Sequence, residues 1–215
     1  MMKNILFVLA HMDDEVYQMG TILRYLENGH NVYLLTIHGK GRLLDKNHNS
    51  RITQFKKVCQ ETFTDYDKLT FLDIDSYFEM DSILNKILKE KIQDCISRWN
   101  IDTVYTHFKY DLHLDHQMVS NAVRLVVRPD RSDIRELYEC YIPGSTERGS
   151  NFNISEWTEV TEIKHILEKM KLVQGYGEEL RGSNSHYGIL NGSKYFGSMF
   201  GFEHAEIFKC IFKKN

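Results

Sequence analysis

The chain has 215 residues, 42% of them apolar, 27% charged and 12% aromatic, with a net charge of -3. That length suits one domain with a sizeable core, the composition is that of a soluble globular protein, and the weak negative charge offers no basic face for nucleic acid. No run approaches the roughly 20 apolar residues of a membrane span, and Cys59, Cys95, Cys140 and Cys210 form no C-x-x-C pair, so reduced thiols in a cytoplasmic protein with no integral membrane association are expected.

The first predicted element is a strand over Ile5–Ala10, too short for a signal-peptide core and followed almost at once by two acids. Glu15 to Leu26 reads as a helix, and Asn31–Thr36 as a second strand after Gly29-His30. Polar Gly39–Asn49 reads as a loop, Arg51–Thr62 as a helix and Leu69–Leu72 as a third strand. Ile83, Ile87, Leu88, Ile92 and Ile96 recur at helical spacing up to Trp99. Asp102–Thr106 is a fourth strand, with a helix starting near Asp115. Beyond Val127 the pattern loosens: Glu139–Ile142 and Glu206–Phe212 suggest strands, Thr161–Leu172 a helix, and a glycine-rich stretch lies between. The alternation predicts an α/β fold, a Rossmann-like doubly wound and mostly parallel sheet, in a single domain over 1–215 with a less regular C-terminal portion.

Two segments carry the chemistry. His11-Met12-Asp13-Asp14-Glu15 follows the first strand, and His113-Leu114-Asp115-His116 follows the fourth. In a doubly wound sheet both lie at the carboxyl edge of the strands, where ligands bind. Ionisable groups crowded at a strand end are costly unless something uses them, and a divalent metal is the simplest user. His11, Asp14 and His116 make a two-histidine, one-carboxylate set that leaves a position open for water, as catalytic zinc requires; ferrous iron suits the same set. Asp13 and Asp14 are neighbours whose side chains should diverge, so one can ligate while the other faces the water. His113 would face a substrate if His116 ligates, and Asp115 and Glu15 are placed to fix ring tautomers. Each segment alone is a weak signal, since a histidine beside acids at a helix start is usually a cap or a surface pair. His38 and His107, near strand ends, read as structural, whereas His186 and His204 are weaker candidates for lining a pocket.

These residues resemble the paired motifs of the PIG-L/LmbE-like de-N-acetylases, A-H-P-D-D-E after the first strand and H-P-D-H further on. Thr36, Gly39, Gly41 and Arg51 resemble the family's T-x-G stretch and following Arg, and Ala205-Glu206-Ile207-Phe208 its C-terminal Ala-Glu-x-Phe. Met12 and Leu114 replace both prolines without removing a ligand, and Gln54 stands where Glu is frequent. The resemblance implies zinc held by His11, Asp14 and His116, Asp13 as general base, His113 stabilising the oxyanion and Arg51 contacting sugar hydroxyls. Asp111 is a further candidate for sugar contact. The implied reaction is removal of the N-acetyl group from an N-acetylglucosamine-type sugar or its conjugate, a small-molecule partner. The alternatives are a related amidase with a different acyl group and a non-catalytic sugar- or nucleotide-binding module. No G-x-G-x-x-G follows the first strand and no Walker-type motif occurs, so nucleotide chemistry is unsupported. Substrate selectivity is expected in Gly39–Asn49, Asp73 or Asp75, Pro143–Asn153 and the glycine-rich part. Tyr195, Phe196, Phe200 and Phe202 read as core, with an interface between copies as the alternative, so a homo-oligomer stays open.

Overall fold

The first strand is an unbroken apolar run that leaves neither face polar, and the computed structural model buries both. It describes residues 2–39, 48–62, 69–74, 82–130, 132–177, 180 and 182–214. In β1 (Asn4–Leu9), Ile5, Phe7 and Leu9 enter one apolar cluster, while Leu6 and Val8 enter another on the opposite face. A strand covered on both sides must be central, and β1 pairs in parallel with β2 (Asn31–Gly39) and β4 (Thr103–His107). The described residues form a seven-stranded sheet in the order β3-β2-β1-β4-β5-β7-β6, with β3 at Leu69–Ile74, β5 at Glu136–Cys140, β6 at Glu159–Glu162 and β7 at Ala205–Lys213. The first five strands run parallel; β7 is antiparallel to β5 and to β6.

Helices cover both faces. On one side α1 (Met19–Glu27), α2 (His48–Thr62) and α5 (Ile166–Gln174) contribute Met19, Ile22, Phe55, Val58, Met170 and Val173. On the other, α3 (Ser82–Trp99) and α4 (Leu114–Val126) contribute Leu88, Ile92, Val119 and Val123. This is the doubly wound α/β arrangement expected. Strand order reverses at β1, whose neighbours are β2 on one side and β4 on the other. The crevice beyond the carboxyl ends of β1 and β4 is therefore the topological switch point, the usual ligand position in such sheets.

The C-terminal third departs from the sequence expectation. Thr161–Leu172 divides into the end of β6 and α5, because Glu159–Glu162 pairs with β7 before His165 opens the helix. A further helix, α6 (His186–Phe200), occupies the glycine-rich stretch. Glycine costs about 1 kcal/mol in a helix interior relative to alanine, so intrinsic preference argues against it. Packing decides otherwise: a Cβ on Gly188 would lie 2.3 Å from the Ser183 carbonyl oxygen, and one on Gly197 would lie 2.7 Å from the backbone of Glu203. Two of the glycines are there for close approach. Of the aromatic stretch, Phe196 is core, while Tyr195, Phe200 and Phe202 are exposed. No helix among the described residues is long and apolar enough to cross a membrane.

Candidate metal centre

After Leu9 the chain leaves the sheet and turns into a single 3₁₀ turn, Asp14–Gln18, that leads directly into α1. The turn draws Asp14 inward to 4% exposure and leaves Asp13 half-buried at its start. The neighbouring carboxylates differ in burial, although one oxygen of each lies within 4.8 Å of the other. From β4 the chain passes through a short loop to α4, whose N-cap is His113 and whose first turn carries Asp115 and His116. His116 is buried, whereas the His113 side chain is 49% exposed.

Two ring nitrogens and one carboxylate meet between these segments. His11 Nδ1 lies 3.2 Å from His116 Nε2 and 3.3 Å from Asp14 Oδ2, and His116 Nε2 lies 3.5 Å from Asp14 Oδ1. A tetrahedral site with bonds of roughly 2.0–2.1 Å separates its ligand atoms by about 3.3 Å, so the spacing suits one small divalent cation. The outward nitrogens point to acids: His11 Nε2 lies 3.1 Å from Asp115 Oδ2, and His116 Nδ1 lies 3.1 Å from Asp111 Oδ1. A carboxylate behind each imidazole fixes the tautomer and raises basicity, the usual support for a metal-binding histidine.

Electrostatics agree with the geometry. Burial opposes charge on either ring, yet Asp14 and Asp115 raise His11 to about 10, and Asp14 with Asp111 raises His116 to about 9. Burial also opposes ionisation of Asp14, but His116, His11 and His107 hold its carboxyl well below the usual range. The cluster favours positive charge at its centre, as a cation site must.

The remaining expected residues fall into place unevenly. Asp13 joins His11 and Asp14 in a group whose donor atoms lie within 4.8 Å of one another. His113 Nδ1 accepts the Asp115 N–H at 3.2 Å, which leaves Nε2 as the ring's donor; burial and the rings of His11 and His116 push its pKa down. Asp115 stands behind His11. Glu15, expected beside the same ligands, is turned instead into the interior beneath the 3₁₀ turn. There Tyr176 donates to its Oε1, and burial pushes its pKa up to about 8. Asp111, expected at the sugar, is buried and engaged: besides His116 it accepts from the His113 N–H at 2.9 Å, Ser145 Oγ at 3.1 Å and Thr146 Oγ1 at 2.8 Å. A carboxylate with both oxygens occupied orients its neighbours and does not reach out. Arg51 lies in α2, and its side chain is outside the described residues, as are those of His38 and Asp73, all of Asp75 and residues 40–47.

Sequence reasoning set His107 aside as structural and placed Ser145 and Thr146 only within the Pro143–Asn153 loop expected to set selectivity, without seeing that they hold Asp111. His107 has no exposed surface, and its ring stacks on His116 with centroids 3.9 Å apart. The available signal was parity: His107 ends β4 two residues after Tyr105, on the strand that pairs with β1.

The described arrangement can be set beside known proteins. The chain matches the PIG-L family, described as GlcNAc-PI de-N-acetylase, over residues 6–127. No curated protein matches it. Among solved structures it is similar to N,N'-diacetylchitobiose deacetylase from Pyrococcus horikoshii, with 14% identity and a TM-score of 0.70 over 97% of this chain and 84% of that one. The zinc-inhibited form of teicoplanin deacetylase Orf2 has 11% identity and a TM-score of 0.73, covering 97% of each chain. GalB, the 4-carboxy-2-hydroxymuconate hydratase from Pseudomonas putida KT2440, has 15% identity and a TM-score of 0.71 over 100% of this chain and 98% of that one. At such identities the three share the fold. The family match is of another kind, since it takes in β1 with His11–Glu15 and β4 with His113–His116, and covers more than half of the chain: this protein belongs to the PIG-L, or GlcNAc-PI de-N-acetylase, family.

Proposed function

We propose that the protein is a zinc-dependent N-deacetylase that removes acetate from an N-acetylglucosamine-type sugar or a conjugate of one. The observation that carries this reading is the convergence of His11 Nδ1, His116 Nε2 and the Asp14 carboxylate at 3.2–3.5 Å from one another, with a second carboxylate, Asp13, beside them. A binding module has no use for that extra base. His11, Asp14 and His116 would hold the metal. Bound there, it supplies Lewis acidity, polarising an amide carbonyl and lowering the pKa of water towards about 7.

The chain's own residues do the rest. Asp13 takes a proton from the attacking water as the C–O bond forms, then returns it to the nitrogen so that the amine can leave. His113 donates from Nε2 to the oxygen that gains charge in the tetrahedral state, where loss of one donor costs about 10²–10³ in rate. Asp115 and Asp111 keep the rings of His11 and His116 in the tautomers that present Nδ1 and Nε2. Arg51, from α2, is the proposed contact to sugar hydroxyls. The products are acetate and a free amino sugar. Chitobiose and teicoplanin deacetylases share the fold and support the reaction class. The hydratase shares it too, so the fold alone does not choose the chemistry.

The test is elemental analysis of the purified protein together with acetate release from N-acetylglucosamine and a panel of its conjugates. Stoichiometric zinc with acetate released supports the reading. A metal-loaded protein inert on every N-acetyl substrate but active on other N-acyl sugars moves the assignment to a related amidase. No metal uptake after adding zinc and iron back removes the reading.

A further inference from the structure

His107 touches both segments that would hold the metal, yet nothing in the proposed chemistry uses it. Its Nε2 accepts the Ala10 N–H at 2.8 Å, the amide just before His11. The next amide, that of His11, donates to Asp14 Oδ2 at 2.8 Å, and this oxygen lies 3.3 Å from His107 Nε2. The face of the ring lies flat against His116, with the planes 3° from parallel.

The same atoms invite a different reading, because Asp14, His107 and His116 also offer three donors within 4.8 Å of one another. Two features argue against His107 as a ligand. Imidazole binds metal in the plane of its ring, and the in-plane lone pairs of two parallel stacked rings run side by side without converging. The Nε2 lone pair is moreover taken by the Ala10 N–H. That leaves the ring proton on Nδ1, a buried atom with no hydrogen-bond partner among the described residues. An unpartnered buried donor is destabilising, and a phenyl ring would stack on His116 without that cost. What the imidazole adds is the acceptor.

We propose that His107 is a positioning residue of the metal centre. Unligated, it sets the relative placement of His11, Asp14 and His116 by bonding the Ala10 amide and backing the His116 ring. The inference rests on the metal reading above.

Two variants separate its contacts. His107→Phe keeps a flat ring against His116 and loses the acceptor; His107→Gln keeps an acceptor at the reach of Nε2 and loses the stack. The readout is zinc affinity by competition with a chelator, with thermal unfolding of the metal-free proteins alongside. His107→Phe is expected to weaken zinc binding roughly 10–100-fold while still filling at saturation, and His107→Gln to recover most of that loss. Unchanged affinity in folded His107→Phe overturns the proposal. So does a folded variant that takes up no zinc at any concentration, which is the mark of a lost ligand. If neither variant folds, wild-type protein with nitrogen-15 histidines and bound cadmium-113 reads the same point: metal coupling at His11 and His116 with none at His107 is expected, and coupling at His107 overturns the proposal. Wild-type protein that binds no zinc overturns the metal reading and this inference together, whereas unchanged variants beside a zinc-binding wild type overturn this inference alone.

Discussion

Two clusters of buried charge flank the segment from His11 to Thr21, and they are built in opposite ways. At its far end, Glu206 from β7 is saturated from within. Its Oε1 accepts the Gly20 N–H at 2.8 Å and Lys169 Nζ at 2.6 Å; its Oε2 accepts the Thr21 N–H at 2.7 Å and Thr21 Oγ1 at 2.5 Å. Lys169 in turn donates to the Tyr17 carbonyl at 3.3 Å. Each charge is paired and hydrogen-bonded, the condition under which buried ions are tolerated, and the carboxylate caps the positive end of α1. Gly20 is needed there, since a Cβ would lie 2.9 Å from Glu206 Oε1 and 2.8 Å from Ile163. At the near end, the proposed ligand atoms of His11, Asp14 and His116 face one another, and the acids behind the two rings stand outside them. A closed network holds the chain together; a convergent one with its support behind it is built to hold something else.

The contrast can be broken at four points, beginning with the largest effect. His116→Ala removes a proposed ligand, and bound metal and acetate release should vanish together in elemental analysis and a coupled acetate assay; full metal content would mean the ligands are elsewhere. Asp13→Asn should keep its metal yet lose about 10²–10⁴ in kcat, measured on metal-loaded protein at saturating substrate. Glu206→Gln acts at the other cluster. It leaves Lys169 as an unpaired buried charge and should lower unfolding free energy by roughly 3–5 kcal/mol, read from urea titration of the metal-free protein. Thr21→Val deletes one hydroxyl donor to the same carboxylate and should cost about 1.5–3 kcal/mol, with zinc affinity unchanged. If Thr21→Val weakened zinc binding as much as His107→Phe, the division between the two clusters would collapse.

Much of this was legible before any tertiary structure. The strands β1, β2 and β4 announce themselves by apolar runs, and both His/Asp segments follow strands that a doubly wound sheet brings to one edge. Of the adjacent carboxylates, Asp14 is buried while Asp13 stays half-buried. Elsewhere the sequence misled. Two of the glycines that argue against a helix over 186–200, Gly188 and Gly197, are required by it, because the backbone of Ser183 and Glu203 comes too close for a side chain. Asp111 has the look of a substrate contact and is instead spent on His116, Ser145 and Thr146.

Periodicity and residue type are local properties, so the sequence by itself determined the order of elements, the central place of β1 and the donor set at the strand ends. Which way each donor faces depends on contacts between residues far apart in the chain. Only the tertiary structure decided that Glu15 turns to Tyr176 and away from the candidate metal centre, that Asp115 stands behind His11 across 104 residues, and that His107 backs His116. Those pairings are set by how α4, α5 and the 3₁₀ turn pack on the sheet, and no spacing along the chain encodes them.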